Sequence, residues 1–488
     1  MGIVIRQAFK STVYSYVGAV LGFLTVWFMN RLWLTPEQNG LINILISISL
    51  ISGSLVNLGM AGVATRLFPH LRNPENNHHG FLLKAMSVTS IGFILFALLY
   101  WSTRDALIAR NAAKSALFAQ HTELLLPLTF FIGAFYILDA YSRSLFLSTL
   151  GVVVKEVGLR VVILIAAMAY HWNVIDFETF VWIYCGSFCA MAMVMVFYLW
   201  QKGKLAWGTS STPLKPELKR EILWVAGFSV LTGLSSLLIS SIDKIIVNDK
   251  LGLAAAGIFS VATYFGSIIQ IPARSIVRIA SGVIAESWKN KDTANILDIY
   301  KKTCLNQFIL GSFLFIAICG NLEQLIGLLP HEYAEAKNVI FFMGLGYLID
   351  MATGANGVII GTSDRYKYDT YFMLLLVVVT FITNWMLIPR MGITGAAVAS
   401  CLTFASYNFL RFLFIWRVFG MQPYDRKMLY ALGIAGISAA FLWFLPSLSN
   451  PYFSIAMRVT LFSAAFMLML YFSKISADLN RLVDGWRK

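Results

Sequence analysis

Twelve ionisable side chains stand within or at the edges of long apolar runs in this sequence. They are Arg31, Arg143, Arg160, Lys244, Arg274, Arg278, Arg411 and Arg458, against Asp139, Glu156, Asp243 and Asp350. A charge at mid-bilayer costs about 2.5–3.5 kcal/mol on insertion scales, so each is a candidate either for function or for pairing. Asp139 with Arg143, and Glu156 with Arg160, are spaced i,i+4 and face the same way on a helix, so ion pairing and cavity lining are both open for these four. Arg274 and Arg278 share a face next to Pro272 with no carboxylate one turn away. Two unneutralised guanidinium groups suit a phosphate-bearing ligand, while snorkelling from a helix end is the plainer reading. Arg31, Lys244 and Arg411 also lack an acid at i±3 or i±4. Arg458 resembles them but lies at a helix boundary, where snorkelling is expected. Asp243 directly precedes Lys244 and so points to a different face. Asp350, in Gly346-Tyr-Leu-Ile-Asp350, has no partner in its own segment; it could carry a coupling ion or pair with a cation on another helix. The candidates for an anionic substrate are therefore Arg31, Arg143, Arg160, Lys244, Arg274, Arg278 and Arg411. Those for ion coupling are Asp350, Asp243 and Asp139. An exporter of cationic drugs would want the opposite balance of buried charge.

The elements that must hold these residues are membrane helices. Of 488 residues, 58% are hydrophobic and only 13% charged, and 38 Lys+Arg against 24 Asp+Glu give a net charge of +14. Soluble chains carry about 25% charged residues, so a soluble enzyme, a secreted module and a membrane-tethered catalytic domain are all disfavoured. Fourteen apolar runs of spanning length follow one another, among them 12 to 33, 152 to 170, 337 to 360, 370 to 388 and 393 to 415. The expected fold is an all-α polytopic membrane protein of about 14 transmembrane helices. Lys and Arg are about threefold enriched on the side that holds both ends of the chain, which places both termini in the cytoplasm and explains most of the basic excess. Nucleic-acid binding is disfavoured, because no basic segment is interleaved with aromatic residues. The Gly-, Ser- and Pro-containing stretch from Gln201 to Glu221 follows six helices, and six more precede the loop from Arg417 to Met428. This suggests a 6 + 6 + 2 plan: a lobe over 1–208, a second over 209–420, and an additional helix pair with a cytoplasmic tail over 421–488.

Catalysis has little to stand on. The sequence contains no phosphate-binding loop, no His-Glu-x-x-His, no Gly-x-Ser-x-Gly and no Cys-x-x-Cys, so no metal and no cofactor is expected. The five cysteines are scattered through apolar runs; Cys185 and Cys189 share a helix face but have no further ligand beside them. His78 and His79 are expected in a solvated cytoplasmic loop. The longest external connection, Ser102 to Glu123, offers only Asp105 and Glu123 as acids.

The two halves echo each other. The first hairpin carries Arg31-Leu-Trp-Leu-Thr-Pro-Glu-Gln-Asn-Gly40, and its counterpart carries Asp243-Lys-Ile-Ile-Val-Asn-Asp-Lys-Leu-Gly252-Leu-Ala-Ala-Ala-Gly257. Internal repetition is typical of transporters, whose substrate path lies between the repeats. These hairpins, with a late turn bearing Pro389, Gly392, Gly395, Ala396 and Ala397, resemble those of the polysaccharide (O-antigen) flippase family. That family belongs to the multidrug/oligosaccharidyl-lipid/polysaccharide exporter superfamily. The resemblance implies two six-helix lobes around a central cavity and alternating access. It also implies passage of an undecaprenyl-diphosphate-linked oligosaccharide across the bacterial inner membrane. The implied partners are that lipid-linked substrate, membrane lipids, a coupling H+ or Na+, and polysaccharide polymerase machinery. The alternatives are a peptidoglycan-precursor (lipid II) flippase or an ion-coupled multidrug exporter, and then a membrane glycosyltransferase or polymerase. Helices thirteen and fourteen resemble the extra pair of peptidoglycan-precursor flippases.

Overall fold

The computed structural model describes residues 33–112, 115–145, 147–209 and 216–475, with scattered positions between 14 and 29. All regular structure among them is helical. The chain divides into two compact units, Met1–Gly257 and Ile258–Lys488.

In the first unit the helices are α1 (Pro36–Val56), α2 (Met60–Leu71), α3 (Asn77–Ala112), α4 (Leu125–Ser144), α5 (Leu159–His171), α6 (Phe177–Gln201) and α7 (Pro216–Leu251). The hairpin motif before α1 is a helix-start device. Thr35 Oγ1 accepts from the Gln38 backbone N–H at 3.2 Å, and Gln38 Oε1 accepts from the Thr35 N–H at 3.0 Å, a reciprocal capping box with Pro36 opening the helix. Gly40 allows a close crossing: a Cβ there would lie 2.0 Å from the Leu253 carbonyl oxygen, and one on Gly257 would lie 1.9 Å from that of Pro36. Asn39 adds a bond from Nδ2 to the Gly257 carbonyl at 3.3 Å. The two hairpins that echo each other in sequence thus touch through their glycines. Ser115 Oγ donates to Asn248 Oδ1 at 2.8 Å, and Asn248 Nδ2 donates to Asn111 Oδ1 at 3.4 Å. A second close approach occurs where α1 gives way to α2, since a Cβ on Gly59 would lie 2.0 Å from the Ala226 carbonyl oxygen of α7.

The start of α3 departs from expectation. Asn77, His78, His79 and Gly80 all take left-handed backbone angles, and His78 is buried rather than solvated. Its ring packs on Phe68 at 5.1 Å and its Nδ1 accepts from the Asn73 N–H at 3.1 Å.

In the second unit, α8 (Leu253–Ser267) enters from the first and is followed by α9 (Ile271–Lys289), α10 (Thr293–Cys319), α11 (Ala336–Ala352), α12 (Asn356–Thr362), α13 (Lys367–Phe419), α14 (Arg426–Phe444) and α15 (Pro451–Ser473). Phe308, Ile309 and Ile316 of α10 form a core with Ala431 and Leu442 of α14 and Phe462 and Phe466 of α15. α13 has 53 residues, about 80 Å if straight, far more than one bilayer crossing needs. It is not straight. Gly392 is non-helical (φ 58°, ψ −142°), and Thr380 Oγ1 lies 3.3 Å from Thr403 Oγ1, residues that a continuous helix would hold about 34 Å apart. The two limbs therefore run antiparallel from a turn at Gly392, in agreement with separate spans over 370 to 388 and 393 to 415.

Among the described residues, ten helices are long and apolar enough to cross a bilayer, or eleven if α11 and α12, bent by 52°, form one span. The expected count is fourteen, and the difference has identifiable sources. The two limbs of α13 enter this number as one helix. The run expected over 152 to 170 is interrupted by a π-helical turn over Val153–Gly158, so α5 alone is short. Half of the run over 12 to 33, Arg31 included, lies outside the described residues.

The crossing of the hairpins is sterically demanding, because backbone and not side chain stands in the way. Gly40→Val or Gly257→Val is expected to cost at least about 1–3 kcal/mol, read as a lower unfolding temperature of the detergent-solubilised protein. Gly433→Ala on α14, where a Cβ meets nothing within 4 Å, is the control and should be neutral or slightly stabilising.

Candidate functional site: a buried polar cluster in the second unit

The densest polar arrangement in the second unit surrounds the bend between α11 and α12. Arg411, on the second limb of α13, directs Nε and Nη2 onto one oxygen of Asp369 at 2.8 and 2.6 Å. The hairpin at Gly392 is what brings these two residues together. The guanidinium lies 3.8 Å from the Tyr407 ring centroid and packs flat against Gly357, where a Cβ would approach Nη1 to 2.5 Å. Asn356 Oδ1 accepts from Nη1 at 3.4 Å. Asn356 also donates to Asn408 Oδ1 at 2.9 Å, the same oxygen that Thr353 Oγ1 approaches at 2.8 Å. Asn408 has no exposed surface, and its amide donates to Asp350 Oδ1 at 2.9 Å, while Gln270 donates to Asp350 Oδ2 at 2.7 Å. Gly354, with φ +58°, supplies the left-handed residue at the bend. Among the described residues Asp350 has amide donors on both oxygens and no cation at ion-pair distance. Among the described residues, the buried hydroxyls of Tyr300 and Tyr407 and the Gln307 Nε2, on α10 and α13, have no hydrogen-bond partner. Orphaned polar atoms at such depth mark a place for water or a small polar ligand.

The remaining predicted residues are dispersed. Asp139 and Arg143 form their i,i+4 pair at 3.3 Å, and the Asp139 carboxylate rests against Gly151, where a Cβ would come within 1.8 Å of Oδ1. Glu156 and Arg160 pair at 2.7 Å, and Arg160 also donates to the Gly18 carbonyl. Asp243 is buried and Lys244 half-buried on α7. Arg274 is exposed on α9. Arg278 lies on the same helix with its side chain outside the described set, as is Arg31 altogether. Arg458 corrects an expectation. Instead of snorkelling it is only 7% exposed. It donates to Asn321 Oδ1 at 3.0 Å and to the carbonyls of Gly320, Leu442 and Leu445. It therefore caps the C-terminal ends of α10 and α14, where helix dipoles favour a cation.

A family model described as "Polysaccharide biosynthesis protein" matches residues 4–282, more than half of the sequence. The chain belongs to that family. No curated protein sequence matches it significantly. Among solved structures it is similar to the lipid II flippase MurJ in an inward closed conformation. That match has a TM-score of 0.75 at 12% identity over 96% of this chain and 99% of that one. It is also similar to an inward-facing multidrug-resistance MATE family transporter of the MOP superfamily, with a TM-score of 0.62 at 11% identity over 83% and 93% of the two chains. A MOP superfamily transporter from Pyrococcus furiosus, described as having a binding pocket of reversed polarity, matches with a TM-score of 0.58 at 11% identity over 84% and 94%. At these identities the likeness fixes the fold. This member of the polysaccharide biosynthesis family is thus a multi-pass membrane protein with the MOP architecture.

Within it, sequence reasoning found Arg411 and Asp350 but missed what joins them. Asp369 lies in the polar stretch Arg365-Tyr-Lys-Tyr-Asp369, which is indistinguishable from loop charge. Asn408 carried a usable signal: with Tyr407 and Arg411 it makes three polar residues on adjoining faces of one apolar run, spaced i, i+1 and i+4. The Arg411–Asp369 pair is largely buried, with side-chain exposures of 11% and 18%. Removing one partner, as in Asp369→Asn or Arg411→Gln, is expected to cost about 3–5 kcal/mol. The double change Asp369→Asn with Arg411→Gln should cost less than the sum of the two single changes, and thermal unfolding of the four proteins forms the test cycle.

Proposed function

We propose that this chain flips a lipid-linked oligosaccharide, carried on undecaprenyl diphosphate, across the bacterial inner membrane by alternating access. Membership of the polysaccharide biosynthesis family supports a glycan cargo. The observation that carries the reading is the extent of the fold match. The likeness to a lipid II flippase covers 96% of the chain, against 83% for the MATE transporter. The wider match is to the lipid flippase, which supports a polyprenyl-linked cargo over a drug. The same observation favours a second reading, a peptidoglycan-precursor cargo. Both cargoes present a diphosphate on a polyprenyl chain, and both suit the excess of intramembrane cations. The 6 + 6 + 2 plan, the cytoplasmic termini and polymerase machinery as a partner belong to this reading.

Among the cations, Arg411, Arg160 and Arg143 hold carboxylates already, so Arg274, which is exposed, leads the candidates for a diphosphate, with Arg278 added by its i,i+4 spacing in the sequence. Lys244 and Arg31 join them as candidates. Asp350 is the first candidate for coupling to H+ or Na+, ahead of Asp243 and Asp139, because amides alone hold it.

In liposomes carrying fluorescent undecaprenyl-diphosphate oligosaccharide, the protein should expose the head group on the far leaflet. Preference for lipid II over that substrate would select the second reading, and transport of a cationic dye instead of either lipid would overturn both. Arg274→Gln with Arg278→Gln should slow flipping at least about tenfold with insertion intact, as expected for lost charge-assisted contacts. Asp350→Asn should abolish the dependence of the rate on a pH or sodium gradient; an unchanged dependence would remove Asp350 from the mechanism.

A further inference from the structure

A second candidate site lies at the far end of α10, away from the polar cluster. There α10 ends at Cys319, the short helix Leu322–Ile326 follows, α11 begins at Ala336, and α14 passes into α15. These ends enclose a cleft of about 800 Å³. Its floor contains Arg458, whose guanidinium makes four hydrogen bonds to carbonyl and amide oxygens, which fix it in the wall while its positive charge still reaches Glu323. Its mouth holds a different kind of charge. Glu323 and Lys337 pair at 2.9 Å, and their side chains remain 77% and 48% exposed. The hydrogen bond and charge of Lys337, with the charge of Arg458 behind them, hold the Glu323 carboxyl below the usual carboxylate range. Beside the pair stand Trp443 and Phe444, each 83% exposed, and Phe341 at 38%. An acid, a base and uncovered aromatic surface thus sit together at the ends of membrane helices, where amphipathic rings accumulate at lipid headgroup level.

We propose that this cleft is a phospholipid site selective for a zwitterionic head bearing a primary ammonium, with the ammonium on Glu323, the phosphate on Lys337 and the acyl chains along Phe341, Trp443 and Phe444. Charge complementarity selects this occupant. An anionic lipid without an ammonium would meet Lys337 but set its charge against Glu323. A quaternary ammonium can approach Glu323 but has no N–H to donate. Binding exchanges one internal ion pair for two intermolecular ones, so no charge is left unmatched. The lipid would clamp the starts of α11 and α15 to the ends of α10 and α14, apart from any cargo.

The test uses the full chain, purified in detergent and exposed to phosphatidylethanolamine, phosphatidylcholine and phosphatidylglycerol of identical acyl composition, with retained lipid counted by native mass spectrometry. Phosphatidylethanolamine is expected to be retained about tenfold more strongly than either other lipid, the scale of one charge-assisted hydrogen bond. Glu323→Gln should erase the preference over phosphatidylcholine, and Lys337→Gln should weaken all three. Trp443→Ala, at an exposed position that folding does not require, should weaken retention with the order of preference kept. Equal retention of the three lipids, or retention indifferent to all three substitutions, would overturn the proposal. So would displacement of the lipid by undecaprenyl diphosphate, which would place the cleft on the cargo path.

Discussion

A guanidinium inside a bilayer must bring its counter-charge with it, and the second unit is built around that requirement. Arg411 finds Asp369 only because α13 folds back at Gly392; on an unbroken helix the two residues would stand about 63 Å apart. Once the hairpin closes, the pair fixes the rest of the cluster. Gly357 must lack a side chain so that the guanidinium can lie against the start of α12, and Asn356 then meets both Arg411 and Asn408. Asn408 in turn reaches Asp350 across the bend between α11 and α12. A bend of 52° within a membrane span frees backbone and side-chain polar groups, which lipid cannot satisfy. The amides and the hydroxyl of Thr353 supply what lipid cannot, so the bend and the charge pair sustain each other.

The first unit solves a different problem by a different means. Its demanding contacts are backbone against backbone, at Gly40 with Leu253, Gly257 with Pro36 and Gly59 with Ala226. Close approach without side chains is the ordinary means by which membrane helices gain packing energy where no hydrophobic force drives them together. It also explains why the hairpins repeat in the sequence. A capped helix start, a polar turn and a glycine are the parts needed to bring two helix N-termini past each other at van der Waals distance.

What the sequence made legible follows from how local each signal is. Apolar runs and i,i+4 spacing are local, so the helical class, the Asp139–Arg143 pair and the Glu156–Arg160 pair were all readable. Helix breaks are only half local. Gly392 was visible as part of a turn, whereas the π-helical turn before α5 and the left-handed run from Asn77 to Gly80 follow from packing that no spacing rule records. Partners on distant helices are not local at all. Asp369 pairs with Arg411 across 42 residues, and Asn321 meets Arg458 across 137, so neither could be found before the helices were placed.

The arginines show how placement then sorts function. Arg411, Arg143 and Arg160 face carboxylates, and Arg458 faces helix ends, so each is already neutralised by an acid or by dipoles. Recruiting Arg411 or Arg458 for an anionic cargo would first break bonds that burial has made strong, whereas the Arg143 pair is half exposed and yields more easily. Arg274 sits exposed on a helix that opens with Pro272 and carries no acid within one turn. The described candidate cations therefore differ less in charge than in what already holds them, from the buried ion pair of Arg411 to the exposed side chain of Arg274.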